Sequence, residues 1–255
     1  MLFKSINGRI KLLISDIIHK LNYFTCKSDF NVNEIVDGLH KNGFFVIHNF
    51  ISSEQADNLK SEAYTFLENR SELVSIESNG SDYRVYNVDK YTPIFNIKKV
   101  TDISNKIFKK FSFLPLKDNF VLLGNIKAIE NNLGSGGGWH RDSPFMHQFK
   151  TIVYLSDVDI NSGPFEYIPG THKYSNILKY SKFLNLSVDS FRFSESQILS
   201  LTESKVLPEP VKFLANKGTI ILVNTRGLHR GMPIIDGDRV AITNYHLTRK
   251  NNDFK

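Results

Sequence analysis

Gly218-Thr219-Ile220-Ile221-Leu222-Val223-Asn224-Thr225-Arg226-Gly227-Leu228-His229 is the stretch that decides the fold. Thr219 to Val223 is an unbroken apolar and β-branched run bounded by glycine and a polar turn, the pattern of a strand buried on both faces. It delivers His229 just past the turn, where no packing argument requires a histidine. Working outward, Val121 to Ile129, Lys150 to Leu155, a short run between Gly163-Pro164 and Pro169-Gly170, the residues around His229, and Arg239 to Leu247 all read as strands. The first 120 residues read mainly as helices, at Val32–Lys41, Ser53–Asn69 and Thr101–Phe111, with strands at Phe44–Ile47 and Tyr83–Val88 and a turn at Asn79-Gly80-Ser81. Ser52 with Gln55 makes a capping box that opens the second helix. Helices followed by short strands with Gly/Pro turns predict a mainly β fold with bracing helices (α+β), a sandwich or barrel. No internal repeat or flexible linker divides residues 31–255, so a single domain is expected there.

Composition removes several function classes. With 41% hydrophobic and 23% charged residues among 255, the chain is an ordinary globular protein with enough length for a large core. Cys26 is the single cysteine, which excludes an intramolecular disulfide framework and a Cys-rich metal site and suits a reducing, cytoplasmic setting. The net charge of +6 comes from scattered Lys and Arg, with no basic stripe interleaved with aromatics, so no nucleic acid partner is expected.

Residues 1–30 differ in character. Ile6, Ile10, Leu13, Ile14, Ile17, Ile18 and Leu21 recur at three- and four-residue spacing beside Lys4, Arg9, Lys11 and Lys20, which predicts a basic amphipathic helix. The run is too interrupted to span a bilayer, and Asp16 and His19 spoil a signal-peptide core. A helix packed on the domain is the plainer reading. Peripheral membrane contact through residues 1–25 is the sharper one.

The chemistry is expected at Trp139-His140-Arg141-Asp142. In extended backbone, alternation puts His140 and Asp142 on one face and turns Arg141 away. One further ligand would complete a 2-His-1-carboxylate set with open coordination positions, suited to Fe(II). His229 is the natural candidate. After the tight turn Asp236-Gly237-Asp238, a hairpin-like return would bring Arg239 beside the His229 strand. Arg239, Ala241, Thr243 and Tyr245 then share a face, and His246 takes the other. A guanidinium at the base of a metal pocket suits a bidentate grip on a carboxylate.

These motifs, in this order, resemble the phytanoyl-CoA dioxygenase family of the Fe(II)/2-oxoglutarate-dependent oxygenases. Asn42 to Ile47 with Phe50 to Gln55 is similar to the family's first strand and helix. Trp139 to Asp142 resembles its His-x-Asp motif. Tyr154 to Val158, Asn161 to Pro164 and Ile168 to Lys173 resemble its central signature, and Gly218 to His229 with Arg239 its closing portion. The resemblance implies a double-stranded β-helix (jelly roll, cupin-like). It implies His140, Asp142 and His229 as Fe(II) ligands and Arg239 as the partner of the far carboxylate of 2-oxoglutarate. Thr151, Tyr154, Asn125 and Lys127 are further candidates for the co-substrate pocket. The implied activity uses Fe(II), 2-oxoglutarate and O2 to hydroxylate an unactivated C–H bond while releasing succinate and CO2. Halogenating relatives lack the carboxylate that stands here as Asp142, which favours hydroxylation.

Several alternatives stay open on sequence. A non-catalytic cupin-like metal or small-molecule binding protein would keep the fold without the reaction. Hydrolysis or isomerisation would want a general base, for which Glu166 is the one candidate. The glycine-rich Asn131–Gly138 reads as a flexible rim. Arg226 and Arg230 either contact an acidic substrate or form surface ion pairs, and His147 is a loop residue. Residues 175–208 are too long for a simple connection and are expected to form a lid insertion, with Phe183, Phe191 and Phe193 as candidates for lining an apolar site. The expected partner is a small-molecule substrate, anionic or lipid-like, drawn from lipids, saccharide precursors or specialised metabolites.

Overall fold

The computed structural model describes residues 2–25, 30–77, 80–112, 114–143 and 145–248; Cys26 and Asn79 lie outside them. The helical periodicities of the first third fold as α1 (Leu2–Thr25), α2 (Phe30–Lys41), α3 (Ser53–Asn69), a single turn α4 (Val88–Tyr91) and α5 (Lys98–Phe111). Ser52 caps α3 by accepting the Gln55 N–H at 3.1 Å. The strands are β1 (Phe44–Ile47), β2 (Ser75–Glu77), β3 (Asp82–Tyr86), β4 (Asp118–Lys127), β5 (Phe149–Tyr154), β6 (Phe165–Tyr167), β7 (Val211–Lys212), β8 (Ile220–Asn224), β9 (His229–Gly231) and β10 (Asp238–Leu247). Two helices, α6 (Tyr174–Phe183) and α7 (Glu195–Glu203), interrupt them.

The strands form a seven-stranded antiparallel sheet in the order β1-β8-β5-β10-β4-β3-β2 and a three-stranded sheet β7-β6-β9. β8 is buried along its whole length. Its alternation splits two cores. Ile220 and Leu222 join α2, α3 and α5 in the larger core, and Ile221 and Val223 meet Phe165, Tyr167 and Phe213 between the sheets. A strand with apolar contact on both faces has no polar side to show water, which is why its sequence is continuous rather than alternating.

Residues 175–208, the expected lid insertion, carry most of α6 and all of α7. Ile177, Tyr180, Val188, Phe193 and Leu201 form a third core with Trp139, Leu228 and Leu12 of α1. Phe183 and Phe191 are exposed and Phe193 is buried in that core; none of the three lines the cleft.

The expected hairpin between the His229 strand and Arg239 is not formed. β9 pairs with β6 in the small sheet, whereas β10 crosses to the large sheet and sets Arg239 opposite Ile126 of β4. The expected face of β10 is nevertheless the one that forms. Arg239, Ala241, Thr243 and Tyr245 line the cleft between the sheets. His246 lies behind the sheet, stacked on Phe149 at 5.3 Å.

Candidate active site

His140 and His229 are brought together by backbone pairing. The His140 N–H donates to the His229 carbonyl at 2.9 Å and the His229 N–H to the His140 carbonyl at 2.8 Å. The Asp142 N–H donates to Thr225 O at 2.9 Å, so backbone hydrogen bonds hold both parts of the site against the segment that follows β8. His140 Nε2 and His229 Nε2 each lie 3.9 Å from Asp142 Oδ1. One ligand atom from each of the three residues lies within 4.8 Å of the other two, the only such group of three or more among the described residues. The opposite ring nitrogens are engaged. His140 Nδ1 lies 2.9 Å from Gly138 O and His229 Nδ1 2.9 Å from Gly227 O. A carbonyl only accepts, so Nδ1 carries the proton and the Nε2 lone pairs face Asp142, the tautomer a metal requires.

Electrostatics agree with that donor set. Burial, reinforced by His229, holds His140 down at about 3, and burial also lowers His229, so both rings are neutral. Burial alone would raise the Asp142 carboxyl. The Lys150 ammonium, the largest of the opposing influences, outweighs it and holds the group below the usual carboxylate range. Lys150 Nζ sits 2.5 Å from Asp142 Oδ2 and 4.0 Å from the centre of the Tyr245 ring. Two neutral imidazoles and an ionised carboxylate on one side of a cleft fit a divalent ion of the Fe(II) class.

The cleft, about 410 Å³, runs from this trio to Arg239. Arg239 is 6% exposed, donates through Nη1 to Gly163 O, and its Nε has no hydrogen-bond partner among the described residues. Burial pulls its pKa down, with Tyr154 and Asp82 opposing. A guanidinium so placed is suited to receive an anion. Arg84, paired with Asp82 at 2.6 Å and Glu77 at 2.8 Å, and Arg192 of the insertion also line the cleft, beside those two acids.

Three of the co-substrate candidates face the wrong way. On β5 the cleft receives Lys150, Ile152 and Tyr154, with Gln148 just before the strand, so Thr151 has the opposite parity and is buried behind the sheet. On β4 the cleft receives Leu122, Gly124 and Ile126. Asn125 and Lys127 therefore point away, Lys127 over the Tyr83 ring at 4.6 Å. Tyr154 lines the cleft with its ring, but its hydroxyl is committed, accepting from Phe165 N–H at 2.9 Å and donating to Phe213 O at 3.3 Å. Lys150, Arg84 and Arg192 line the cleft without being among the site residues expected from the sequence. Parity from Tyr154 back along β5 would have selected Lys150.

The remaining sequence candidates find structural partners. Arg230 pairs with Glu166 at 2.5 Å and with Glu195, which occupies the one candidate general base. Arg226 is fully buried and meets Asp16 of α1 at 3.3 Å. His147 is no loop-surface residue: it is buried against His19, ring centres 3.8 Å apart. The rim at 131–138 is tied down, with the Gly231 N–H donating to Ser135 O at 3.0 Å and Asn132 Nδ2 donating to Ile129 O and Ile234 O, both at 2.8 Å. Gly136, at φ +82°, lies against the His140 ring, where a Cβ would collide.

A family model described as phytanoyl-CoA dioxygenase (PhyH) matches residues 39–235. The chain belongs to the phytanoyl-CoA dioxygenase family. That places it in the Fe(II)/2-oxoglutarate-dependent oxygenase superfamily. No curated protein is recognisably related by sequence. Among solved structures, the phytanoyl-CoA dioxygenase family chain is similar to SnoN, an epimerase of nogalamycin biosynthesis solved with Fe3+, alpha ketoglutarate and nogalamycin RO. The two are 13% identical, with a TM-score of 0.63 over 85% of this chain and 83% of SnoN. EctD from S. alaskensis, with bound Fe, is 14% identical with a TM-score of 0.63 over 89% of this chain and 80% of EctD. HygX from Streptomyces hygroscopicus, with nickel and 2-oxoglutarate, is 17% identical with a TM-score of 0.57 over 87% and 93%. At such identities the likeness establishes the fold, the jelly roll of this superfamily. No described helix is long and apolar enough to cross a membrane.

Proposed function

We propose that this phytanoyl-CoA dioxygenase family chain is an Fe(II)- and 2-oxoglutarate-dependent hydroxylase of a small molecule. What carries the reading is one juxtaposition: two neutral Nε2 donors and the Asp142 carboxylate converge in the same cleft as a buried arginine with an unpartnered Nε. His140, Asp142 and His229 would hold the metal, and Arg239 the far carboxylate of 2-oxoglutarate. Bound together, iron, 2-oxoglutarate and O2 supply oxidative decarboxylation to succinate and CO2 and the oxidising power to place one oxygen atom into a C–H bond.

The chain's own residues set the conditions. Gly138 O and Gly227 O fix both rings in the binding tautomer, and Lys150 compensates the second Asp142 oxygen. Arg239 orients a dicarboxylate by one end. Arg84, Arg192 and Gln148 line the space left for a substrate beside polar and aromatic walls, which favours a compact molecule with anionic or hydroxyl groups.

The test is anaerobic addition of Fe(II) and 2-oxoglutarate to the full chain. A visible metal-to-ligand charge-transfer band is expected, and Asp142→Ala should abolish it while the far-ultraviolet circular dichroism is unchanged. A wild-type protein without the band, or a variant that keeps it, overturns the reading. With a substrate in hand, a product heavier by one oxygen atom marks hydroxylation, and a product of unchanged mass marks epimerisation.

A further inference from the structure

Helix α1 is turned inside out. Its contacts with the body run through Gly8, Leu12 and His19, which are buried, and through the half-buried Ser15 and Asp16. Ile10, Leu13, Ile14, Ile17, Ile18 and Leu21 are 36–56% exposed. At about 100° per residue these six project within an arc of about 140°, and the inward residues project on the opposite side. An amphipathic helix that only braced a domain would bury its aliphatic arc. This one buries a narrow side made of Gly8, Leu12, Ser15, Asp16 and His19 and shows the wider aliphatic arc to solvent. A contiguous apolar face of that kind on a monomer marks a contact surface.

Charge identifies what covers it. Lys11 borders the arc on one side, and Arg9 and Lys20 border it on the other; all three are exposed. Asp16 is the only acid between residues 1 and 25. It is turned inward, 3.3 Å from Arg226 and 3.5 Å from His147, with Lys20 reaching it at 3.3 Å. The face therefore offers aliphatic side chains rimmed by cations. The apolar surface continues past Ile14 and Ile18 into a groove of about 320 Å³ shared with Leu114 and Phe145, and Leu114 and Leu116 are themselves exposed. A second copy of the chain on this arc would set cationic rims against cationic rims. An anionic lipid surface meets both features at once, because the aliphatic arc enters the acyl boundary while Arg9, Lys11 and Lys20 reach the head groups.

We propose that α1 docks the protein on anionic membrane surfaces through this arc, independently of the reaction in the cleft. The test is flotation of the full chain with vesicles of phosphatidylcholine alone and of equal parts phosphatidylcholine and phosphatidylglycerol. The protein should float with the anionic vesicles, stay behind with the neutral ones, and release at about 0.5 M salt. Ile14→Asp with Ile17→Asp lies wholly on the exposed arc, so its thermal unfolding should match wild type while vesicle binding falls roughly tenfold or more. Arg9→Glu with Lys11→Glu should remove the preference for anionic lipid. Failure of wild type to float, equal flotation with both lipids, or a double aspartate variant that floats like wild type each overturns the proposal. So does a wild-type dimer by light scattering that ignores vesicles and becomes monomeric on Ile14→Asp/Ile17→Asp, which would assign the arc to a second copy.

Discussion

Asp142 has two oxygens with different duties: Oδ1 faces the two imidazole Nε2 atoms, and Oδ2 meets Lys150 at 2.5 Å. Lys150 is 8% exposed, so the pair is desolvated, and removing the cation leaves a buried carboxylate with its charge uncompensated. Lys150→Met should cost the metal-free protein about 3 kcal/mol of stability. It should also weaken divalent-metal affinity by roughly 10–100-fold, because the partner that orients the ligand is gone. Urea unfolding of the metal-free protein and a metal titration followed by isothermal calorimetry check both numbers; unchanged stability and affinity would reduce Lys150 to a bystander. Lys150 also shows where reading residues one at a time failed. His140, Asp142, His229 and Arg239 stood out because their types and spacing have a chemical meaning. Thr151, Asn125 and Lys127 follow only from the resemblance, and alternation sets each behind its strand. Opposite residues in an antiparallel pair share a face, so Arg239 across from Ile126 already excludes Asn125.

Between elements, the insertion is tied to the His140–Asp142 segment by Arg141, the residue that alternation turns away from the site. Its guanidinium, 1% exposed, donates to Tyr180 Oη at 2.7 Å, Val188 O at 2.6 Å and Ser190 O at 2.8 Å. The backbone adds a ladder, Arg141 N–H to Phe191 O and Phe193 N–H to Trp139 O, both at 3.0 Å. The segment after α6 thus runs beside the His-x-Asp strand as a neighbour and carries Arg192 to the cleft rim. Arg141→Met would leave a buried hydroxyl and two carbonyls unsatisfied, with an expected loss of about 3 kcal/mol. Limited proteolysis should show new cleavage between α6 and α7, and metal affinity should fall although no ligand has changed. A wild-type cleavage pattern with wild-type affinity would uncouple the insertion from the site. Strands such as β8 and β10 were legible because alternation and β-branching are local signals. The seating of α6 and α7 was not, because Ile177, Tyr180 and Leu201 gain their meaning from Trp139 and Leu228, far away in sequence. The crossing of β10 into the large sheet was hidden for the same reason: a tight turn at Asp236-Gly237-Asp238 predicts a reversal of the chain, not the sheet it rejoins.

Across the whole molecule, the elements that brace the jelly roll meet at a knot of histidines. His19 of α1 stacks on His147 at 3.8 Å and lies 4.2 Å from His40 at the end of α2. His172 Nε2 lies 3.0 Å from His40 O, and since a carbonyl only accepts, Nε2 carries the proton and donates it to that bond. Burial is the largest influence on all four, lowering His40 to about 4, His172 to about 3, and His19 and His147 well below 6.5. Neighbouring imidazoles and Arg226 push His19 and His147 further down, whereas Asp16 and Asp37 oppose the shift at His40. The sign follows from linkage. Unfolded histidine takes up its proton near 6.5, whereas these folded rings refuse it until far lower. The unfolded state therefore binds more protons as pH falls through 6.5, and stability present above that value is lost toward about 4 and 3. Carboxylates with ordinary values titrate lower, so a loss that begins near pH 6 belongs to histidine. His19→Leu gives the clean measurement, because His19 Nε2 is buried with no hydrogen-bond partner among the described residues. At about pH 7.5 the variant should match wild type within about 1 kcal/mol, since removing the unpartnered Nε2 offsets the loss of the ring's hydrogen bond to the Phe111 backbone. At about pH 5 it should have escaped up to about 2 kcal/mol of the wild-type loss, the ceiling set by a group that titrates only when unfolded. Urea midpoints of the two proteins across that range decide the matter: converging curves at high pH and diverging ones at low pH are expected, and parallel curves would remove His19 from the acid response of the fold.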